Sequence, residues 1–258
     1  MHLPQIGFGT WQLAQGKETE ESVSAAIAAG YKLIDTAKIY GNEDSVGTAV
    51  KKSDLRDQLI ITTKLWVGEL GYQSALDAFD ASLFRLGLEY VDLYLVHWPG
   101  NSASARKESW KALEEIKQSG KAKNIGVSNY QVEHLEEMLD YAKTKPAVNQ
   151  IEFHPFIYEK QAPILEFCRR EAIAVEAYSP LAQAAKLKDP TLVEIGRKYD
   201  KTPAQVMLRW AIQHGTVPIP RSSNPARIKQ NYEIFDFELE DEDIRRINRL
   251  SSGRSVLG

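Results

Sequence analysis

The chain has 258 residues, of which 43% are hydrophobic and 26% charged, and a net charge of −3. That composition suits a globular protein near the usual size of an eight-fold α/β barrel. A balance this close to neutral gives no electrostatic footprint for nucleic acid or a membrane surface. The single cysteine, Cys168, excludes an internal disulfide and a cysteine-cluster metal site. No metal is expected. No basic-then-apolar leader opens the chain and no long uncharged apolar run interrupts it, so a cytoplasmic location is expected.

Short apolar runs alternate with amphipathic stretches in chain order. The strand-like runs are 5–10, 32–35, 59–64, 92–97, 122–128, 147–152, 174–178 and 216–219. Helical periodicity fills 18–29, 45–51, 73–86, 107–118, 131–142, 163–171, 203–214 and 225–232, and a terminal helix over 240–250 is extra. Gly30, Gly87, Gly120 and Gly215 stand where helices should stop. Strand, helix and glycine in alternation predict a (β/α)₈ TIM barrel, one domain over 1–258. A doubly wound sheet would want a dinucleotide loop after its first strand. Gly7-Phe8-Gly9-Thr10-Trp11-Gln12 has Gln12 where the third glycine belongs.

Ionisable side chains close three of these runs: Asp35, Lys64 and His97. Tyr40 follows five residues after Asp35. Taken singly, each has an ordinary structural explanation. A barrel, however, brings its C-terminal strand ends to one mouth, and such barrels do their chemistry there. An acid, a phenol, an amine and an imidazole are therefore expected to converge. Trp11, Trp66 and Trp98 each follow a strand end and should ring the same mouth as an apolar wall. Trp110, Trp210 and Cys168 fall in helical patterns and read as packing residues, and His154 reads as structural.

These segments resemble the aldo-keto reductases over nearly the whole chain, most closely the small microbial branch that includes diketogluconate reductases. The resemblance rests on Gly7-Phe8-Gly9-Thr10-Trp11, Ile34-Asp35-Thr36-Ala37-Lys38-Ile39-Tyr40-Gly41-Asn42-Glu43, Thr62-Thr63-Lys64-Leu65-Trp66 and Leu95-Val96-His97-Trp98-Pro99. It continues in Ile125-Gly126-Val127-Ser128-Asn129-Tyr130, Asn149-Gln150-Ile151-Glu152-Phe153-His154-Pro155, Ala177-Tyr178-Ser179-Pro180-Leu181 and Ile219-Pro220-Arg221-Ser222. It implies carbonyl reduction with NADPH by a catalytic tetrad of Asp35, Tyr40, Lys64 and His97. Tyr40 would give its proton to the carbonyl oxygen. Lys64 would lower the phenol from its usual value of about 10. Asp35 would hold Lys64, and His97 would orient the substrate.

The resemblance also implies cofactor contacts. Gly9 and Thr10 belong to that set. Tyr178 would stack on the nicotinamide, with Ser128, Asn129 and Gln150 on its carboxamide. Ser179 and Leu181 would line the pyrophosphate. Arg221, Ser222 and Arg227 would hold the 2′-phosphate, with Gln230 and Asn231 near the adenine. The segment from Arg221 to Pro225 also reads simply as a turn capping the next helix. Several departures from the pattern stand out. The N-terminal hairpin that plugs the barrel is shortened to Met1-His2-Leu3-Pro4. Arginine replaces the usual lysine at 221 and glutamine the usual glutamate at 230. A long C-terminal tail is missing and the loop after His97 is short, so an open pocket for small carbonyl substrates is expected. Nothing in the sequence suggests an obligate interface, so a monomer is expected. Rival readings are a Schiff-base aldolase using Lys64 and a non-catalytic nucleotide-sensing subunit.

Overall fold

The computed structural model describes residues 2–256. Eight strands run parallel and pair in chain order: β1 Phe8–Gly9, β2 Leu33–Asp35, β3 Ile60–Leu65, β4 Val91–Val96, β5 Ala122–Ser128, β6 Val148–Glu152, β7 Ala174–Tyr178 and β8 Thr216–Pro218. The sheet curls until its outer strands meet. The Gly7 N–H donates to the Pro218 carbonyl at 2.9 Å and the Gly9 N–H to the Pro220 carbonyl at 3.1 Å. Glycine is needed at this seam. A Cβ on Gly7 would lie 2.4 Å from Leu33 Cδ2, and one on Gly9 would lie 2.8 Å from the Ile219 carbonyl oxygen. The run 5–10 therefore adds only two ladder residues, because its remaining backbone serves the seam and the loop.

The expected strands and helices are present with shifted ends. Outside the sheet lie α1 Lys17–Ala29, α2 Glu43–Lys52, α3 Tyr72–Leu86, α4 Ala103–Gln118, α5 Val132–Tyr141 and α6 Tyr158–Arg170. They are followed by α7 Pro190–Tyr199, α8 Pro203–Gln213, α9 Pro225–Tyr232 and α10 Asp241–Asn248. Helix α7 is a correction, since sequence periodicity shows nothing there. Its buried face is only Leu192, Ile195 and Gly196, a stripe too thin to stand out. Its start is nonetheless well made: Pro190 opens it and the Asp189 carboxylate accepts from the Thr191 N–H at 2.9 Å. Helix α6 starts at Tyr158 rather than at Pro163, which lies inside it.

The extra helix α10 docks on α7. The buried Asp243 carboxylate accepts from Lys198 Nζ and the Tyr199 hydroxyl, both at 2.7 Å. Buried Trp210 on α8 donates its indole N–H to Asn248 Oδ1 at 2.8 Å. Among the described residues no helix is long and apolar enough to cross a membrane.

Inside the barrel, side chains alternate along each strand. At the floor, buried Leu93, Leu95 and Val148 form an apolar cluster, and Leu3, Ala147 and Ala174 pack against it. Among the described residues no strand precedes β1, and Leu3 does the covering expected of a hairpin plug.

Candidate active site

The C-terminal strand ends open on a cleft of about 830 Å³. Asp35 ends β2, and Lys64 stands one residue from the end of β3. Both are buried. Lys64 Nζ donates to Asp35 Oδ1 at 2.7 Å, to the Thr36 carbonyl at 3.0 Å and to the Tyr40 hydroxyl at 3.1 Å. An ammonium has three N–H donors, so all are engaged and its position is set.

Tyr40 closes a 3₁₀ turn, Lys38–Tyr40, which ends at Gly41 with φ of 68°. That left-handed conformation favours glycine. Asn42 anchors the turn: its amide donates to the Thr10 and Leu13 carbonyls at 2.9 and 3.2 Å and accepts from the Thr36 hydroxyl at 2.8 Å. This positioning role was not anticipated. The Gly41-Asn42 pair was its only trace in the sequence.

His97 follows β4 directly, and its N–H donates to the Leu65 carbonyl at 3.0 Å. The ring stands edge-on to Tyr40 and to Trp66, with centroids 5.7 and 5.4 Å away. Its Nδ1 is buried without a partner among the described residues.

Charge is distributed unevenly over these groups. Burial draws the Lys64 ammonium down, but Asp35 and Tyr40 outweigh it and the net direction is up. Lys64 stays charged, which removes the free amine that a Schiff-base aldolase requires. Burial and the Lys64 charge press the His97 imidazole down to about 2, so it is neutral. Burial pushes the Tyr40 phenol up, Lys64 pulls it down and Asp35 adds to the rise. The net direction is upward. This corrects the expectation that Lys64 would bring the phenol below its ordinary value: the ammonium only moderates the effect of burial.

On the facing wall, the Tyr178 hydroxyl donates to Asn129 Oδ1 at 2.8 Å. The Asn129 amide donates to the His97 carbonyl at 3.0 Å and to Ser128 Oγ at 3.1 Å. Gln150 Nε2 reaches Asp35 Oδ2 at 2.8 Å. Asp35, Tyr40, His97, Asn129, Gln150 and Tyr178 all line the cleft. Lys64, Thr10 and Ser128 stand behind its wall. Lys64 faces Asp35 and Tyr40, the Thr10 hydroxyl donates to the Asp35 carbonyl at 2.9 Å, and the Ser128 hydroxyl donates to the Gln150 carbonyl at 2.8 Å. Trp11 and Trp98 stand on the rim, 36% and 38% exposed, with Trp66 half-buried below them.

The cleft continues past Gly9, Ser179 and Leu181 to Arg221, Ser222, Arg227, Gln230 and Asn231. Asn224 caps α9, accepting from the Ala226 and Arg227 N–H groups at 2.9 and 3.2 Å. The turn reading of this segment therefore holds alongside any binding role. Arg221 Nη2 donates to Gln12 Oε1 at 2.7 Å. No carboxylate pairs with Arg221 or Arg227 among the described residues. Two unpaired guanidinium groups at one end of a long cleft fit a phosphate dianion.

The loop after β7 also meets a segment that sequence reading passed over. The Glu152 carboxylate accepts from Ser255 Oγ at 2.5 Å, the Val256 N–H at 2.7 Å and His154 Nε2 at 2.9 Å. Gln183 donates to the Val256 carbonyl at 3.3 Å. Ser179, Ala182, Gln183 and Ala184 all have positive φ. Among the described residues no group of three His, Cys, Asp or Glu side chains could hold a metal.

The profile described as the aldo/keto reductase family matches residues 5–252. The chain belongs to the aldo/keto reductase family. It is 47% identical over 257 residues to glyoxal reductase of Bacillus subtilis, covering 99% of this chain and 92% of that one. MGS-M4, an aldo-keto reductase from a Medee basin deep-sea metagenome library, superposes with a TM-score of 0.95 at 40% identity, covering 99% and 94% of the two chains. An aldo-keto reductase of Bombyx mori, solved in complex with NADP, gives a TM-score of 0.93 at 33% identity, covering 99% and 92%. Like these aldo-keto reductases, the chain is a (β/α)₈ barrel.

Proposed function

We propose that this aldo-keto reductase is a monomeric, single-domain cytoplasmic enzyme that reduces small aldehydes and ketones with NADPH, with Tyr40 as the general acid. The observation that carries the reading is the Tyr40 hydroxyl, 3.1 Å from a buried, charged Lys64 that Asp35 holds at 2.7 Å. The likeness to a glyoxal reductase of Bacillus subtilis and to a Bombyx aldo-keto reductase solved with NADP supports it.

Bound NADPH supplies the hydride to the carbonyl carbon. As negative charge grows on the carbonyl oxygen, Tyr40 breaks its O–H bond and a new O–H bond forms on the product alcohol. The raised phenol keeps its proton until that moment, as a donor must. Lys64 then faces the phenolate and stabilises it, while Asp35 keeps the ammonium charged. Neutral His97 orients the substrate by a hydrogen bond to the same oxygen.

Tyr178, Asn129 and Gln150 would hold the nicotinamide, with Ser128 acting through Asn129. Gly9, Ser179 and Leu181 would line the pyrophosphate. Arg221, Ser222 and Arg227 would hold the 2′-phosphate, and Gln230 and Asn231 the adenine. Trp11, Trp66 and Trp98 would pack against substrate. A rim this exposed buries little of a large ligand, which favours small ones.

Tyr40→Phe tests the reading. The ring remains, so NADPH binding should hold nearly unchanged. Single-turnover hydride transfer to a small aldehyde should fall about 10²–10⁴-fold. A rate within a few-fold of wild type removes Tyr40 as the acid.

A further inference from the structure

One buried carboxyl takes no part in the reaction derived above. Along β7, Ala174, Glu176 and Tyr178 share the inward face. Ala174 joins the apolar floor, Tyr178 reaches the cleft, and Glu176 stands between them, fully buried. Its neighbour in register across β6 is Gln150. That side chain sets one amide nitrogen between two acids: Nε2 donates to Glu176 Oε2 at 2.7 Å and to Asp35 Oδ2 at 2.8 Å. A primary amide has two N–H donors, so both are committed. An unbroken chain runs Glu176, Gln150, Asp35, Lys64, Tyr40, with every link between 2.7 and 3.1 Å. The second Glu176 oxygen, Oε1, has no partner among the described residues.

The charge count at this layer is unbalanced. The groups facing Glu176 are Asp35 from β2, Lys64 from β3 and Gln150 from β6. Strand β8, Thr216–Pro218, brings no ionisable side chain. Two carboxylates against one ammonium would leave a net negative charge among groups that are almost wholly buried, which is expensive. Keeping a proton on Glu176 removes that excess. Burial, and after it the Asp35 carboxylate, raise Glu176 to about 7, against the pull of Gln150 and Lys64.

We propose that Glu176 is a positioning and charge-setting residue of the reaction centre, holding Asp35 through Gln150 and, by losing or keeping its proton, changing how readily Tyr40 gives up its own. The sign follows from charge. An ionised Glu176 adds a negative charge near the phenolate that must form, so Tyr40 becomes a poorer acid as pH rises. This rests on Tyr40 being the acid, and the test separates the two ideas.

Glu176→Gln keeps an acceptor for the Gln150 amide but cannot ionise, whereas Glu176→Ala removes the acceptor. Between about pH 6 and pH 8.5, the ratio of the Glu176→Gln rate to the wild-type rate of single-turnover reduction should rise on the order of tenfold. Glu176→Ala should be slow throughout, and Gln should rescue it. On the cofactor-free protein, infrared spectra should show a protonated-carboxyl band that titrates near about pH 7 in wild type and is missing from Glu176→Gln. Parallel pH profiles for wild type and Glu176→Gln overturn the proposal, as does a wild-type spectrum without that band. A Tyr40→Phe variant that still transfers hydride would overturn the acid assignment and leave the infrared titration standing.

Discussion

The floor and the mouth of this barrel share strands β6 and β7 and obey opposite rules. At the floor, Leu93, Leu95 and Val148 meet Leu3 and Ala174 with no polar atom among their side chains. Nearer the mouth, β2, β3, β6 and β7 bury Asp35, Lys64, Gln150 and Glu176 just as fully, with Asp35 and Gln150 bordering the cleft. Apolar burial stabilises the fold at roughly 25 cal/mol per Å². Buried charge does not: it persists when its partners are in place and becomes a liability when one is removed. The floor is thus expected to tolerate loss of stability without loss of chemistry, and the mouth to lose both together.

Lys64→Met strikes the mouth hardest. It strands the Asp35 carboxylate and leaves the Tyr40 phenolate without its cation. Turnover should fall about 10²–10⁴-fold and stability by about 3–5 kcal/mol. Combining it with Asp35→Asn should restore much of the stability and none of the rate, as read by urea unfolding and single-turnover kinetics. If the double variant regains neither, Asp35 is not what the missing cation exposes.

Leu93→Ala is the matching cut at the floor. About 2–5 kcal/mol of stability should go, while kcat at a temperature where the protein stays folded should move by less than about twofold. A collapse of kcat in folded Leu93→Ala would erase the contrast. Arg221→Ala sharpens it at the far end of the cleft. Loss of one charge-assisted contact should weaken NADPH about 10–100-fold and NADH far less, measured by fluorescence titration. Equal weakening of both would take Arg221 off the 2′-phosphate.

The smallest effect is a slope. Folded His97 remains neutral down to about pH 2, against an ordinary value of 6.5. Below pH 6.5 the unfolded chain therefore binds a proton that the folded chain refuses, and stability drops by about 1.4 kcal/mol per pH unit. His97→Gln should remove that contribution when urea midpoints at about pH 6.5 and pH 5 are compared. An unchanged slope would mean that His97 is not held neutral by burial.

Asp35, Tyr40, Lys64 and His97 were legible in the sequence because each closes or follows a short apolar run, and a parallel barrel turns that local pattern into convergence. What escaped notice depends on contacts between distant segments. Glu176 sits inside an apolar run, where one acid reads as a solvent-facing residue of an alternating strand; pairing of β7 with β6 sets it beside Gln150, and only the curling of the sheet brings that pair to Asp35. Asn42 joins two loops whose meeting no local pattern announces. The direction of the Tyr40 shift was misjudged for the same reason. The pull of a neighbouring lysine can be guessed from the motif, whereas the depth of burial that outweighs it belongs to the folded barrel. Helix α7 was missed because its apolar face is thin and a close approach demands glycine at 196, where a Cβ would lie 2.5 Å from the Lys201 carbonyl oxygen.

The docking of Ser255 and Val256 on Glu152, opposite Leu3 at the floor, dictates how the protein should be mounted. A resin, an electrode linker or a fluorophore attached through the residue-3 side points away from the cleft and leaves diffusion of aldehyde and nucleotide undisturbed. The same attachment beyond Val256 pulls on the segment bonded to Gln183, whose side chain lines the cleft. Immobilised preparations coupled by the two routes should therefore retain unequal fractions of the activity in solution, with the floor-coupled one ahead.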